Sequence, residues 1–232
     1  MPRSTDTHAF DRETLRFLAE LAGNNDRVWF SANKQRYEDH FVAPALRFID
    51  ALAPAIAKIS RHFLAVSKVS GGSLMRIYRD TRFARDKAPY KTNIGIQFRH
   101  ERGKDVHAPG FYVHIEPGGC FLGAGIWHPE PSALAAIRRE IVEQPNRWKR
   151  ARDGREFNRH FALGGEQAAK PPRGFPTDSP YADDLRRKDF IASCDLDDRE
   201  VVAAGFAAGV AKRFSSAAPL MAFLCGALDL DF

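Results

Sequence analysis

The hydrophobic residues of this chain change their spacing twice, and that change restricts the fold more than any other feature. Near the N-terminus they recur at steps of three and four: Leu15, Leu18 and Leu21, then Tyr37, Phe41, Ala45, Phe48, Leu52 and Ile56. Such spacing puts side chains on one face of a helix. In the middle of the chain the step drops to two. Ile94, Ile96 and Phe98 alternate with Gly95, Gln97 and Arg99, and Phe111, Val113 and Ile115 alternate with Tyr112, His114 and Glu116. Alternation of this kind describes strands with one buried face. Helical spacing returns in Leu134, Ile137 and Ile141. Strands enclosed by helical groups predict an α+β fold, with a mainly antiparallel sheet flanked by N- and C-terminal helices.

Local signals set the expected boundaries. Asp11 is an N-cap, with Phe10 and Leu15 as its hydrophobic staple, and Gly23 fits a left-handed C′ residue. A second helical stretch begins near Ser31, and Pro44 should kink or restart it. Strands are expected over 74–78 and 120–127, the latter joined to 110–116 through Gly118 and Gly119 as a hairpin. Beyond Pro131, Ser132 is read as the cap of a helix over 133–142, followed by a helical patch over 155–161. A proline-rich loop over 168–180 precedes a strand over 190–194. Asp197 or Asp198 then caps a helix running to Lys212, and a last helix follows Ser216 or Pro219. No repeat or linker divides the chain, so one domain over 1–232 is expected, with residues 1–9 as a flexible tail.

The three cysteines are widely separated, which gives no disulfide framework and no CxxC site. Reduced thiols and a cytoplasmic location are the expectation. The first ten residues lack an apolar signal region, and the apolar run over 201–211 is too short to span a bilayer. Of 35 basic and 29 acidic residues, nine and three lie within 73–104, so that segment carries the whole net charge of +6. A local positive field attracts phosphate, carboxylate or nucleic acid.

Within that segment Arg76, Arg79, Arg82, Arg85, Lys87 and Lys91 present donors suited to oxyanions, with Asp80 and Asp86 placed to orient them. The alternative is an Arg/Asp network that only pins the connection. Alternation directs Tyr112 and His114 away from the core, and places Gly123, Gly125 and Trp127 together on the next strand. Two glycines on one strand face leave a strip that admits either a ligand or a close backbone. Arg76 and Tyr78 are expected to join that face. Tyr90, Tyr112 and Trp127 could stack or hydrogen-bond. His114 is the candidate for proton transfer, because imidazole titrates near neutrality. The chain lacks GxGxxG, GxSxG, HExxH and a complete phosphate loop. His107, His114 and His128 have no metal-ligand spacing, so no metal and no cofactor are expected.

The run Arg76 to Thr92 reads RxxRDTRFxxDKxPYKT, which resembles the signature of domain-of-unknown-function family 2461, a set of uncharacterised bacterial, fungal and plant proteins. NNDRVWFSANKQRY at 24–37, GFYVHIEPGG at 110–119, GAGIWHPEP at 123–131 and PPRGFPTDSPYADDLRRKDF at 171–190 fit the same family. The resemblance implies a single α+β domain and brings no reaction, substrate or cofactor. The residues themselves favour binding of a small phosphorylated or carboxylated ligand through the basic strand–loop–strand segment, with enzymatic turnover left open. Two other readings are nucleic-acid binding, with Tyr78, Phe83 and Tyr90 as stacking groups, and docking of an acidic protein partner. No membrane partner is expected, and the oligomeric state is not set by the sequence.

Overall fold

Asp11 and Asp26 start the first helices by the same device. Asp11 accepts the Thr14 N–H at 2.9 Å and opens α1 (Arg12–Gly23). Asp26 accepts the Val28 and Trp29 N–H groups and opens α2 (Arg27–Ala32), which therefore begins before Ser31. Gly23 is the last helical residue and not a left-handed C′ position. Asn24 terminates α1 instead, at φ −135°, donating from its side chain to the Glu20 carbonyl at 2.8 Å. The computed structural model describes residues 9–82, 84–103 and 108–232. The tail expected at 1–9 lies outside these except for Ala9, as do Phe83, Lys104 and His107.

After α3 (Lys34–Tyr37) the backbone widens into a π turn (Glu38–Val42) and resumes as α4 (Ala43–Ile59). Pro44 explains the restart, since it has no N–H and its ring crowds the carbonyl one turn back. The stripe from Tyr37 to Ile56 is buried along its length.

The sheet contains β1 (Ile94–Arg99), β2 (Gly110–Ile115), β3 (Phe121–Ile126), β4 (Ala162–Leu163) and β5 (Phe190–Asp195). Its order is β1-β2-β3-β5-β4, and all four pairings are antiparallel. The fold is α+β, with the sheet in the middle and helices at both ends of the chain. The segment over 74–78 is not a regular strand. It touches β1 through a single bridge, Leu74 to Ile96, then turns back on itself through a Tyr78–Tyr90 bridge. The Arg79 N–H donates to the Pro89 carbonyl at 2.9 Å, and the Lys91 N–H to the Ile77 carbonyl at 2.7 Å. Its Arg/Asp pairs give the segment local partners in place of a continuing ladder.

The later helices are α5 (Pro131–Glu143), α6 (Pro145–Arg152), α7 (Arg155–His160), α8 (Ala182–Leu185), α9 (Asp198–Val201), α10 (Phe206–Ser216) and α11 (Ala218–Ala227). Ser132 does not cap α5. Glu130 holds the cap position and Pro131 the first turn, where its missing N–H costs nothing. The helix expected from Asp197 to Lys212 is two helices. Asp197 caps α9 in a capping box with Glu200, and Gly205 at φ +79° breaks the path before α10. On the inner face of the sheet, Phe214 of α10 packs on Phe111 at 4.8 Å between ring centres, and Trp148 of α6 lies 4.9 Å from Phe223 of α11. No helix among the described residues is long and apolar enough to cross a membrane.

Candidate functional site

Strand register decides what stands on the outer face of the sheet. Gly95 pairs with His114 and Gln97 with Tyr112. Tyr112 pairs with Gly123 and His114 with Phe121, while Gly110 pairs with Gly125. On the far side Gly123 pairs with Ser193 and Gly125 with Ile191. Gly95, Gly110, Gly123 and Gly125 thus share one face, where side chains would otherwise rise. A recess of about 380 Å³ results, floored by the last three glycines and walled by Met75, Tyr112, Phe121 and Trp127. Its lining is almost entirely apolar, and among the described residues no helical residue contributes to it.

The glycines serve different purposes. A Cβ on Gly125 would stand 2.0 Å from the Phe190 carbonyl oxygen, and its φ of +133° disfavours any side chain. Gly125 therefore answers a close backbone approach. A Cβ on Gly123 would make only ordinary van der Waals contact, its nearest neighbour being the Tyr112 Cβ at 3.5 Å, so that position has room for a small side chain. At Gly95 a Cβ would lie 2.9 Å from the Tyr112 hydroxyl. The absence of a side chain there lets the Tyr112 ring lean across β1.

A hydrogen-bonded series runs along β2 from that hydroxyl. Tyr112 Oη lies 3.1 Å from His114 Nδ1, and His114 Nε2 lies 3.2 Å from a Glu116 oxygen. Thr92 donates to the other Glu116 oxygen at 2.7 Å. A carboxylate only accepts, so in the neutral imidazole Nε2 carries the proton and Nδ1 is left to accept from Tyr112. The Asn93 amide also approaches Nδ1, at 3.4 Å. Phe121 stacks on the imidazole at 4.7 Å and 16°, fixing its plane. Burial pushes the Tyr112 phenol up to about 12, against a smaller opposing effect of the Asn93 hydrogen bond.

Glu116 and Asn93 also line a second, polar recess of about 560 Å³, with Asn25, Arg79, Asp86 and Lys91. Asn25 holds this wall through a two-way clamp on Tyr90, donating to its carbonyl at 2.9 Å and accepting its N–H at 3.0 Å. Phe30 stacks on the Tyr90 ring at 4.1 Å. Partial burial and the neighbouring Arg76 charge both lower the Lys91 pKa.

Of the residues singled out in the sequence, Arg79, Asp86, Tyr90 and Lys91 line the polar recess, Tyr112 and Trp127 line the apolar one, and His114 links the two. Asp80 and Arg82 form a two-point surface pair at 3.0 and 2.7 Å, which holds the Asp80 carboxyl at about 2. Asp86 accepts from Arg79 at 2.6 Å, and that bond lowers its pKa. Lys87 donates to the Thr81 carbonyl at 2.9 Å. Arg76 and Tyr78 do not join the apolar recess as expected. Leu74 takes the core side beside Ile96, so the residue next to it, Met75, takes the outer side.

Sequence reading missed Met75, Gly95, Glu116, Asn93 and Asn25. Glu116 was within reach, because it continues the two-residue step from Tyr112 and His114. Asn25 carried no local signal, since its partner lies 65 residues away. Among the described residues no group of His, Cys, Asp and Glu is arranged to hold a metal ion.

A family model described as conserved hypothetical protein (DUF2461) matches residues 13–223. The chain belongs to this family. The match runs from α1 into α11 and takes in both recesses. No curated protein and no solved structure gives a significant match.

Proposed function

We propose that the chain binds a small molecule with a flat apolar body and a phosphate or carboxylate group. The body lies on the glycine floor of the outer sheet face, and the anionic group lies toward Lys91 and Arg79. One observation carries this reading: two neighbouring strands, β2 and β3, place three glycines on a single face and leave a cavity of about 380 Å³ there, within the size range of small-molecule sites. Lys91 supports the position of the anion. It is partly buried beside another cation, and among the described residues no carboxylate pairs with it. A bound anion would offset that repulsion.

Half of the six cations over 76–91 have internal partners. Asp80 holds Arg82, Asp86 holds Arg79, and Thr81 holds Lys87. This pairing favours a network that shapes one wall of a small site over a track for nucleic acid. Exposed carboxylates of Asp80 and Asp86 would repel a phosphodiester backbone. An acidic protein partner finds less support for the same reason.

The probe for this reading is 8-anilinonaphthalene-1-sulfonate, a flat aromatic anion that fluoresces when its rings leave water. Wild type should show saturable enhancement. Gly123→Val should weaken binding by about tenfold, or about 1.4 kcal/mol, because it fills open space in the floor. Lys91→Ala should weaken it several-fold and flatten its salt dependence. Equal binding by Gly123→Val and wild type, at unchanged melting temperature, would contradict the proposed site.

A further inference from the structure

We infer that Tyr112 is a catalytic acid–base residue, driven by His114 and Glu116, for a proton-transfer reaction on the molecule in the recess. This rests on the binding site proposed above and assigns it an activity. Four observations converge on one hydroxyl. The Tyr112 side chain walls the apolar recess. Its oxygen is 3.1 Å from His114 Nδ1, which in the neutral imidazole is the accepting nitrogen when Nε2 donates to the carboxylate on the other side. The carboxylate is itself held by Thr92, and the imidazole plane by Phe121. Gly95 supplies the space that the phenol occupies, where an alanine Cβ would crowd it at 2.9 Å. A base oriented by a third group and aimed at a hydroxyl is the arrangement that activates side chains for proton transfer and nucleophilic attack.

The series also joins the two recesses, since Tyr112 lines one while Asn93 and Glu116 line the other. A phenol kept neutral at physiological pH needs such a partner before it can act as a base. In the forward step a C–H or O–H bond of the ligand breaks and its proton passes to Tyr112 Oη. The original phenol proton moves to His114 Nδ1, and the imidazolium so formed lies against the Glu116 carboxylate. The ligand is left as its conjugate anion, close to the cations of the polar recess. Return of a proton to a different ligand atom, with His114 giving its proton back to Tyr112, completes an isomerisation. No electrons are gained or lost, and no co-reactant is consumed. Tyr112 is the catalytic residue in this scheme, and His114 and Glu116 act through it as positioning residues.

The test uses phenylmethanesulfonyl fluoride, an aromatic probe small enough for the recess. A base-activated phenol forms an O–S bond as the S–F bond breaks. Fluoride leaves with the bonding pair, and the phenol proton goes to His114. Peptide mass spectrometry of the folded full chain should find one dominant adduct, on Tyr112. Tyr112→Phe should abolish it. His114→Ala should slow labelling by about a hundredfold or more, the range usual for loss of a general base, and added imidazole should restore part of the rate. Glu116→Gln should slow labelling while Glu116→Asp retains more of it. Melting curves for each variant separate this from misfolding. The inference is overturned if Tyr112 reacts no faster in the folded chain than in urea, or if His114→Ala labels at the wild-type rate. Should the fluorescent anion bind and be blocked by Gly123→Val while Tyr112 stays unlabelled, the binding site stands and the activity does not. Relay-dependent labelling with no anion binding points the other way.

Discussion

Gly123 and Gly125 stand two residues apart on β3, and their neighbours make different demands. At Gly125 any Cβ meets the backbone of β5, and φ is +133°. Alanine there should destabilise the protein by more than about 2 kcal/mol, since backbone strain and overlap are among the few causes of large single-residue losses. At Gly123 alanine should change stability by less than about 1 kcal/mol, since its new contacts are ordinary ones. Urea denaturation of the two variants measures the contrast, and equal losses would remove the basis for calling Gly123 part of an open floor. The buried side chains make a second prediction at this scale. Burial raises Cys120 and Cys225 from 9.0 to about 12, and Tyr37 and Tyr112 from 10.0 to about 12. The folded state keeps protons that the unfolded chain releases, so this stability is complete below about pH 9 and falls as pH rises toward 12. Melting temperature should therefore decline across that alkaline window. At pH 8 the buried thiols should resist a disulfide reagent until the chain is unfolded.

Between elements Asp184 is a buried polar anchor. Its carboxylate accepts from Trp148 Nε1 at 2.8 Å, from Arg187 Nε at 2.9 Å and from Arg152, so one buried acid of α8 ties down α6 and the loop before β5. Removing it leaves two cations and an indole without their acceptor. Asp184→Ala should cost about 3–5 kcal/mol, the range seen when one partner of a buried pair is lost, and thermal or urea melts would show it. Losing the α9 capping box in Asp197→Ala should cost about 1 kcal/mol. The longer elements were largely legible, because each is written in the spacing of its own residues, whereas α6, α8 and β4 were not read from the sequence. Ile94 to Phe98 and Phe111 to Ile115 announced their strands, and Tyr37 to Ile56 announced its helix. Partnership was not legible. β5 inserts beside β3 from more than sixty residues away, and nothing in its own sequence names β3 as its neighbour. The same limit hid Asn25 from Tyr90 and Asp184 from Trp148. His114, Tyr112 and the glycine strip could be found because they lie on adjacent strands. Met75 was missed because the departure of 74–78 from a regular strand depends on tertiary pairing.

The buried core is one cluster that includes Phe10 and Phe17 at one end of the chain and Phe214 and Cys225 at the other. That continuity supports one cooperative unit. Limited proteolysis should give no two stable fragments of comparable size, and a cut near Pro129 that released two folded halves would show otherwise. The helices pack on the inner face of the sheet, and the ligand site proposed above lies on the outer one. A direct measurement is the map of backbone amide shifts in a ¹⁵N-labelled sample titrated with 8-anilinonaphthalene-1-sulfonate. The predicted result is a set of saturating changes confined to Met75, Gln97, Tyr112, Gly123 and Ser193, the residues beside them, and the anion contacts Arg79 and Lys91, absent in Gly123→Val. Changes centred on the helices, or on the exposed residues Asp80, Arg82, Arg85 and Lys87, with Gly123→Val responding as wild type does, would contradict it.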